Sequence, residues 1–155
     1  VRSATATHVV HQDIRSVWKR LVHPEYVAGF MGTLGMRSAF RYRVEGAAAT
    51  QELRKGDVVT LETRSGKRVV DLTVDDSAPP SFFALVNSGK DGRRVDKFVL
   101  KVRFKLTEYG EGRTKVSVSC AIILMSQFRE IVALLAPTGL IYGFLIGRAL
   151  KKLGK

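Results

Sequence analysis

The chain has 155 residues, enough for one domain with a buried core, and a hydrophobic content of 45% excludes a disordered chain. A formal net charge of +12 favours anionic partners without choosing among nucleic acid, lipid headgroups and phosphorylated ligands. The single cysteine, Cys120, excludes a disulfide framework within the chain, and its alternating setting with Val116, Val118 and Ile122 predicts an inert buried thiol.

In chain order, residues 4 to 12 (ATATHVVHQ) are rich in Thr and Val and predict a first strand. Asp13 is placed to cap a helix carrying Val17, Trp18, Leu21 and Val22. Pro24 interrupts that helix, Glu25 to Met31 predict a second short one, and Gly32 and Gly35 end the region. The period then changes to two. Phe40, Tyr42 and Val44 alternate with Arg41, Arg43 and Glu45, and Gly56-Asp57 precedes a strand over Val58 to Thr63. Val70, Leu72 and Val74 alternate with Asp71, Thr73 and Asp75, Pro79-Pro80 breaks the pattern, and SFFALVNS follows. Gly89 to Arg94 predict a turn. The clearest strand has Phe98, Leu100, Val102, Phe104 and Leu106 on one face, with Lys97, Lys101, Arg103 and Lys105 on the other. Gly110-Glu111-Gly112 predicts a hairpin turn into Thr114 to Met125, and the chain from about Ser126 onward predicts one long helix. The expected fold is α+β: a curved antiparallel sheet of six or seven strands, two short helices after the first strand, and a long C-terminal helix covering the apolar face. Neither repeats nor a linker divide the chain, so residues 1–155 are expected to form one domain.

This order resembles the START/Bet v 1-like superfamily, also called SRPBCC or helix-grip, and within it the bacterial polyketide cyclase/dehydrase-like and coenzyme-Q-binding-like proteins. The matching residues are DIRSVWKRLVHPEYVAGF at 13 to 30, with its skeleton Trp18, Leu21, Pro24, Glu25 and Phe30, then LRKGDVVTLE at 53 to 62, and the closing helix of 28 or so residues. The resemblance implies a cavity between sheet and C-terminal helix that holds an apolar ligand such as a lipid, quinone or polyketide-like molecule.

The closing segment carries Gly139, Gly143 and Gly147 at every fourth position. At helical spacing, Phe128, Val132, Leu135, Gly139, Tyr142, Ile146, Leu150 and Leu153 gather on one face as an apolar stripe suited to a sheet. The uncharged run from Ile131 to Gly147 has 17 residues, including Pro137, which is short of the roughly 20 a transmembrane span needs. The glycines are therefore expected to allow close approach to the sheet or to leave room for a ligand. Leu134, Ile141 and Phe144 form an apolar patch on the outer face, available to a membrane surface or to a second copy of the chain. Arg148, Lys151 and Lys152 follow it and are suited to lipid phosphates.

The predicted ligand pocket draws Phe30, Phe40, Tyr42, Leu61, Thr63 and Leu72 from the first half of the chain. Phe83, Leu85, Leu100, Phe104 and Val118 come from the later strands, and Leu135, Tyr142 and Ile146 from the long helix. Tyr42, Thr63 and Tyr142 are the inward polar candidates for a ligand hydrogen bond. No residue is assigned a catalytic role, because the sequence shows no base and nucleophile pairing. It also lacks a Gly-rich phosphate loop, H-E-x-x-H and G-x-S-x-G. His8 and His11 lie three apart on a strand and point to opposite faces, so neither a metal site nor a cofactor is expected.

The stripe Lys97, Lys101, Arg103 and Lys105 belongs to a segment, 90 to 105, with seven Lys/Arg against two Asp. It predicts an anionic docking surface. Its aromatic residues lie on the buried side, which lowers RNA binding relative to simple electrostatic attraction; an anionic membrane is the expected partner, with RNA, the ribosome or an acidic protein as alternatives. The N-terminal VRSATATHVVHQD has no apolar core of a signal peptide, so a cytoplasmic protein with peripheral membrane contact is expected. Ligand binding is the expected function. An aromatase/cyclase-type enzyme and a basic interaction module are the alternatives.

Overall fold

The structure, a computed structural model, describes residues 2–34, 40–45, 52–87, 98–124 and 146–154. Seven strands are described: β1 (Arg2–Val10), β2 (Arg41–Glu45), β3 (Val58–Glu62), β4 (Arg68–Ala78), β5 (Phe82–Val86), β6 (Phe98–Glu108) and β7 (Thr114–Leu124). They pair throughout as antiparallel neighbours in one sheet of order β1-β7-β6-β5-β4-β3-β2. Two helices, α1 (Ile14–Leu21) and α2 (Pro24–Leu34), lie between β1 and β2 in the chain. Those strands are the two edges of the sheet, so the chain between them must cross from one edge to the other. It crosses over a face, and that is why α1 and α2 pack on the sheet instead of extending it. Near the end of the chain, residues 146–151 form a helical turn and a half, α3, followed by a 3-10 turn at Lys152–Gly154.

Local chemistry accounts for the element ends. Asp13 caps α1: its carboxylate accepts from the backbone N–H of Ser16 at 3.3 Å and from the Ser16 hydroxyl, and this holds the carboxyl below its ordinary pKa. Val17, Trp18 and Leu21 form the buried side of α1, and each such side chain contributes about 1.5–3 kcal/mol by leaving water. Pro24 begins α2 rather than merely breaking α1. A first helical position has no use for an N–H, and the His23 carbonyl accepts from Tyr26 and Val27. Helix α2 also runs past the predicted stop at Gly32, to Leu34. Gly56, at φ 93°, makes the predicted turn into β3, where its N–H donates to the Val74 carbonyl at 2.9 Å.

Bulges at Leu61/Glu62 against β4 and at Val74/Asp76 against β5 bend the sheet. The alternation expected for β6 holds: Leu100, Val102, Phe104 and Leu106 are buried, whereas Arg103 and Lys105 are exposed. Cross-strand rows follow from the register. Ala6, Val118, Phe104 and Phe83 lie side by side across four strands, and Ala4, Cys120, Val102, Leu85 and Val74 across five. These rows make the inner face. Trp18 meets Phe83 edge-on at 6.0 Å, and Phe30 of α2 meets Phe104 at 5.1 Å, so the helices are fastened to the sheet through aromatic rings. Thr114, fully buried at the start of β7, donates its hydroxyl to the Gln12 carbonyl and ties the end of β1 to the β6–β7 hairpin.

Most of the predicted closing helix lies outside the described residues. In the part described, Ile146, Ala149, Leu150 and Leu153 are buried, while Arg148, Lys151 and Lys152 are exposed. This is the inner and outer division the sequence predicts. Among the described residues, a Cβ at Gly147 would meet nothing within 4 Å. No helix among the described residues is long and apolar enough to cross a membrane.

Candidate functional site

Two features can hold a partner: the apolar inner face of the sheet, and a groove where α1 and α2 meet the C-terminal turn. The groove encloses about 540 Å³ and is lined by Lys19, Arg20, His23, Glu25, Tyr26, Gly29, Phe30, Lys152 and Leu153. Hydrogen bonds between these two helices and the C-terminal segment shape it. Arg20 Nη1 donates to the Leu153 carbonyl at 2.9 Å, the Tyr26 hydroxyl donates to the Ala149 carbonyl at 3.1 Å, and Lys152 Nζ donates to Thr33 Oγ1 at 3.0 Å. Burial pushes the Tyr26 hydroxyl far above the ordinary tyrosine range, so it remains a neutral donor. His23 Nδ1 accepts from the Glu25 N–H at 3.2 Å, which places the proton of the neutral ring on Nε2. The buried lining residues Phe30 and Leu153 form the apolar floor, and the exposed Lys19, Arg20, Glu25 and Lys152 form the rim.

The Cys120 thiol is buried, and burial pushes its pKa up to about 12, so it is protonated and unreactive at neutral pH. No group of three or more His, Cys, Asp or Glu able to hold a metal ion occurs among the described residues.

Solved structures share this architecture. A norcoclaurine synthase from Thalictrum flavum superposes with a TM-score of 0.60 at 14% identity, covering 98% of this chain and 92% of that one. A protein from Arthrobacter aurescens gives 0.60 at 16% identity, over 98% and 83% of the two chains, and CalU16 from Micromonospora echinospora gives 0.57 at 15%, over 99% and 72%. The fold is that of the START/Bet v 1-like superfamily. At these identities the likeness concerns the fold alone. No family model matches the chain, and no curated protein matches it by sequence. A further structure of the Thalictrum flavum synthase is a complex with dopamine and hydroxybenzaldehyde.

On this fold the sequence-predicted residues fall into four groups. Phe30, Phe83 and Phe104 come together in one aromatic cluster with Trp18. Leu61, Leu72, Leu85, Leu100, Val118 and Ile146 are buried in the same core, with Phe40 and Tyr42 half-buried against it. Thr63 stands apart: it lies past the end of β3, and its hydroxyl is engaged in the β3–β4 turn with Ser65 at 2.9 Å and the Lys67 N–H at 3.2 Å. Leu135 and Tyr142 lie outside the described residues, as do Lys97 and the outer patch Leu134, Ile141 and Phe144.

The basic stripe is partly reproduced. Lys101 reaches Asp75 at 3.8 Å, whereas Arg103 and Lys105 have no ion-pair partner among the described residues. On other strands, Arg43 pairs with Glu62 at 2.6 Å and Arg68 with Asp71 at 2.9 Å. Lys152, one of the cations suited to lipid phosphates, is exposed and stands at the groove rim.

The groove was not anticipated. Its sequence signals were Gly29 within the second helical segment and the basic pair Lys19-Arg20 a few residues before Tyr26, and both kinds of feature are common in proteins without such a site.

Proposed function

We propose that this protein binds a small apolar ligand between the inner face of its sheet and the predicted C-terminal helix, and carries or presents it without converting it. One observation supports the reading most: the register sets aliphatic and aromatic side chains side by side across the sheet, in rows such as Ala4, Cys120, Val102, Leu85 and Val74. A wall of this kind recognises a ligand by excluding water, and a few polar groups set its orientation. Tyr42, half-buried on β2, is the polar candidate on the described part of the wall, and Tyr142 and Leu135 would face it from the C-terminal segment. The synthase complex with dopamine and hydroxybenzaldehyde supports the idea that this fold can enclose small aromatic molecules. Turnover has less support, because the buried Cys120 thiol stays protonated and Tyr42 has no base assigned to activate it. The uncompensated cations Arg103 and Lys105 support docking of the outer face on anionic membranes.

The test is native mass spectrometry of the purified protein, with organic extraction of any bound mass. A reproducible apolar adduct is expected, displaced by an uncharged apolar probe such as N-phenyl-1-naphthylamine. A clean mass together with no probe uptake would overturn the binding reading. A Tyr42→Phe change that abolishes a measured conversion while sparing probe affinity would replace it with an enzyme.

A further inference from the structure

We propose that the free edge of β1 is a self-association surface, on which a second copy of this chain adds its own β1, antiparallel about a two-fold axis at Ala6, so that the two sheets become one.

The backbone groups that β1 presents follow from the pairing of its neighbours. The Tyr109 N–H donates to the Arg113 carbonyl at 3.0 Å, in register with the pair Glu108 and Thr114. Hydrogen-bonded pairs alternate along an antiparallel ladder, so Thr107 with Lys115, Lys105 with Ser117, Arg103 with Ser119 and Lys101 with Ala121 exchange bonds between β6 and β7. The other side of β6 agrees: the Asn87 N–H donates to the Leu100 carbonyl, and the Leu106 N–H to that of Ser81. Val116, Val118 and Cys120 therefore turn their backbone groups to β1, where they meet His8, Ala6 and Ala4. Ser3, Thr5, Thr7 and Val9 are left with N–H and C=O directed off the edge, and those groups have no hydrogen-bond partner among the described residues.

Proteins blunt an exposed edge with a short strand, a proline, a lysine, an inward charge or a bulge. Strand β1 has none of these. It runs for nine residues, against about five or six in a usual strand, and its register with β7 is unbroken. Residues 3–12 contain no Pro, Lys, Arg, Asp or Glu, in a chain whose net charge is +12. The opposite edge shows the contrast: β2 has five residues, and Arg41, Arg43 and Glu45 are among them.

The edge is also complementary to itself. A two-fold axis at Ala6 sets Ser3 opposite the partner's Val9 and Thr5 opposite the partner's Thr7, and each such pair exchanges two hydrogen bonds. Threonines then pair on the outer face, where β-branched side chains suit a sheet. On the inner face Ala6 meets the partner's Ala6, small enough for the closer spacing of a non-hydrogen-bonded pair. The axis stands perpendicular to the sheet, so both outer faces turn the same way, and the exposed Arg103 and Lys105 of each copy face one surface.

The experiment is sedimentation equilibrium of the whole chain from about 5 to 500 μM, with hydrogen exchange read amide by amide at both ends of that range. At least about half the chain is expected to be dimeric at the upper end. At the lower end the amides of Ala4, Ala6 and His8 are protected while those of Ser3, Thr5, Thr7 and Val9 exchange freely. At the upper end this second set is expected to slow at least about twofold. Thr5→Pro removes an outward N–H without breaking a bond to β7 and is expected to weaken association at least about tenfold, as is Thr7→Lys, which sets a charge at the seam. Added salt is expected to tighten the dimer, because it screens repulsion between two copies of charge +12. The proposal is overturned if the chain stays monomeric, if salt loosens the dimer, or if both variants associate like the wild type. A dimer whose outward β1 amides gain no protection also overturns it, in favour of another surface such as the predicted patch of Leu134, Ile141 and Phe144. Should Thr5→Pro fail to fold, Thr7→Lys and the alternating exchange pattern of the wild type decide.

Discussion

Replacing Gly29 by alanine adds a methyl group at a point where no non-local atom of the described residues lies within 4 Å, so the substitution is expected to stabilise the protein. The helix-propensity difference between glycine and alanine is about 0.8–1 kcal/mol in a helix interior, and Gly29 stands near the middle of the 11-residue α2. The new methyl is half-buried against the groove wall, which adds a few tenths of a kcal/mol at about 25 cal/mol per Å². The carbonyl of residue 29 goes on accepting from the Thr33 hydroxyl, at 3.0 Å in the wild type, so no hydrogen bond is exchanged for the gain. The total is about 1 kcal/mol, or a rise in melting temperature of about 2–4 °C for a chain of this length. Urea unfolding followed by circular dichroism, with a thermal scan beside it, measures both quantities. An unchanged m-value with a higher midpoint is the expected result. A fall of about 1 kcal/mol would mean that the methyl overlaps something. It would refute the claim that the groove is open at this residue, and with it the geometric basis for a ligand site there.

Further outcomes follow from the packing and charges. Phe104→Ala removes the ring between Phe30 and Phe83 and is expected to cost about 3–5 kcal/mol in chemical denaturation, and a loss under about 1 kcal/mol would show that this cluster is not packed as described. Cys120 keeps its proton in the folded state up to about pH 12 but would lose it near its ordinary value of 9.0 when unfolded. The folded state then binds more protons across that window, so its contribution to stability falls as pH rises from about 9 towards 12, with a slope of at most ~1.4 kcal/mol per pH unit. Comparing the wild type with Cys120→Ala at pH 8 and pH 10.5 isolates this effect, and parallel pH dependences would refute it. Arg103→Glu/Lys105→Glu is expected to change stability by less than about 0.5 kcal/mol, because both side chains are exposed, while sharply weakening binding to anionic vesicles at low salt. Equal vesicle binding by the variant and the wild type would remove β6 from the docking surface.

Where one side chain answers to its near neighbours, the sequence was enough. The period of two over Leu100, Val102, Phe104 and Leu106, the Asp13 cap, and the turns at Gly56 and at Gly110 and Gly112 were all legible. Each depends on backbone preferences acting over a few residues. The break between the two helices at Pro24 was legible too, and the structure adds that Pro24 itself opens the second helix, where the His23 carbonyl finds donors.

What remained hidden depended on partners distant in sequence. Two of the groove's walls are joined by a hydrogen bond spanning 133 positions, from Arg20 to Leu153, and another spans 123, from Tyr26 to Ala149. Nothing local marks those partners. The aromatic residues predicted as pocket lining show the same limit: burial of Phe30, Phe83 and Phe104 could be read from their apolar setting, but not that they would pack on one another. The sequence by itself determined which strands form and which of their sides turn away from water, since alternation and turn chemistry act over a few residues. Only the tertiary structure decided that the two edge strands lie at opposite ends of the sheet, that α1 and α2 cross its face, and that the C-terminal turn meets them to leave a groove. Those outcomes depend on which distant surfaces fit together, and a linear pattern carries no measure of that fit.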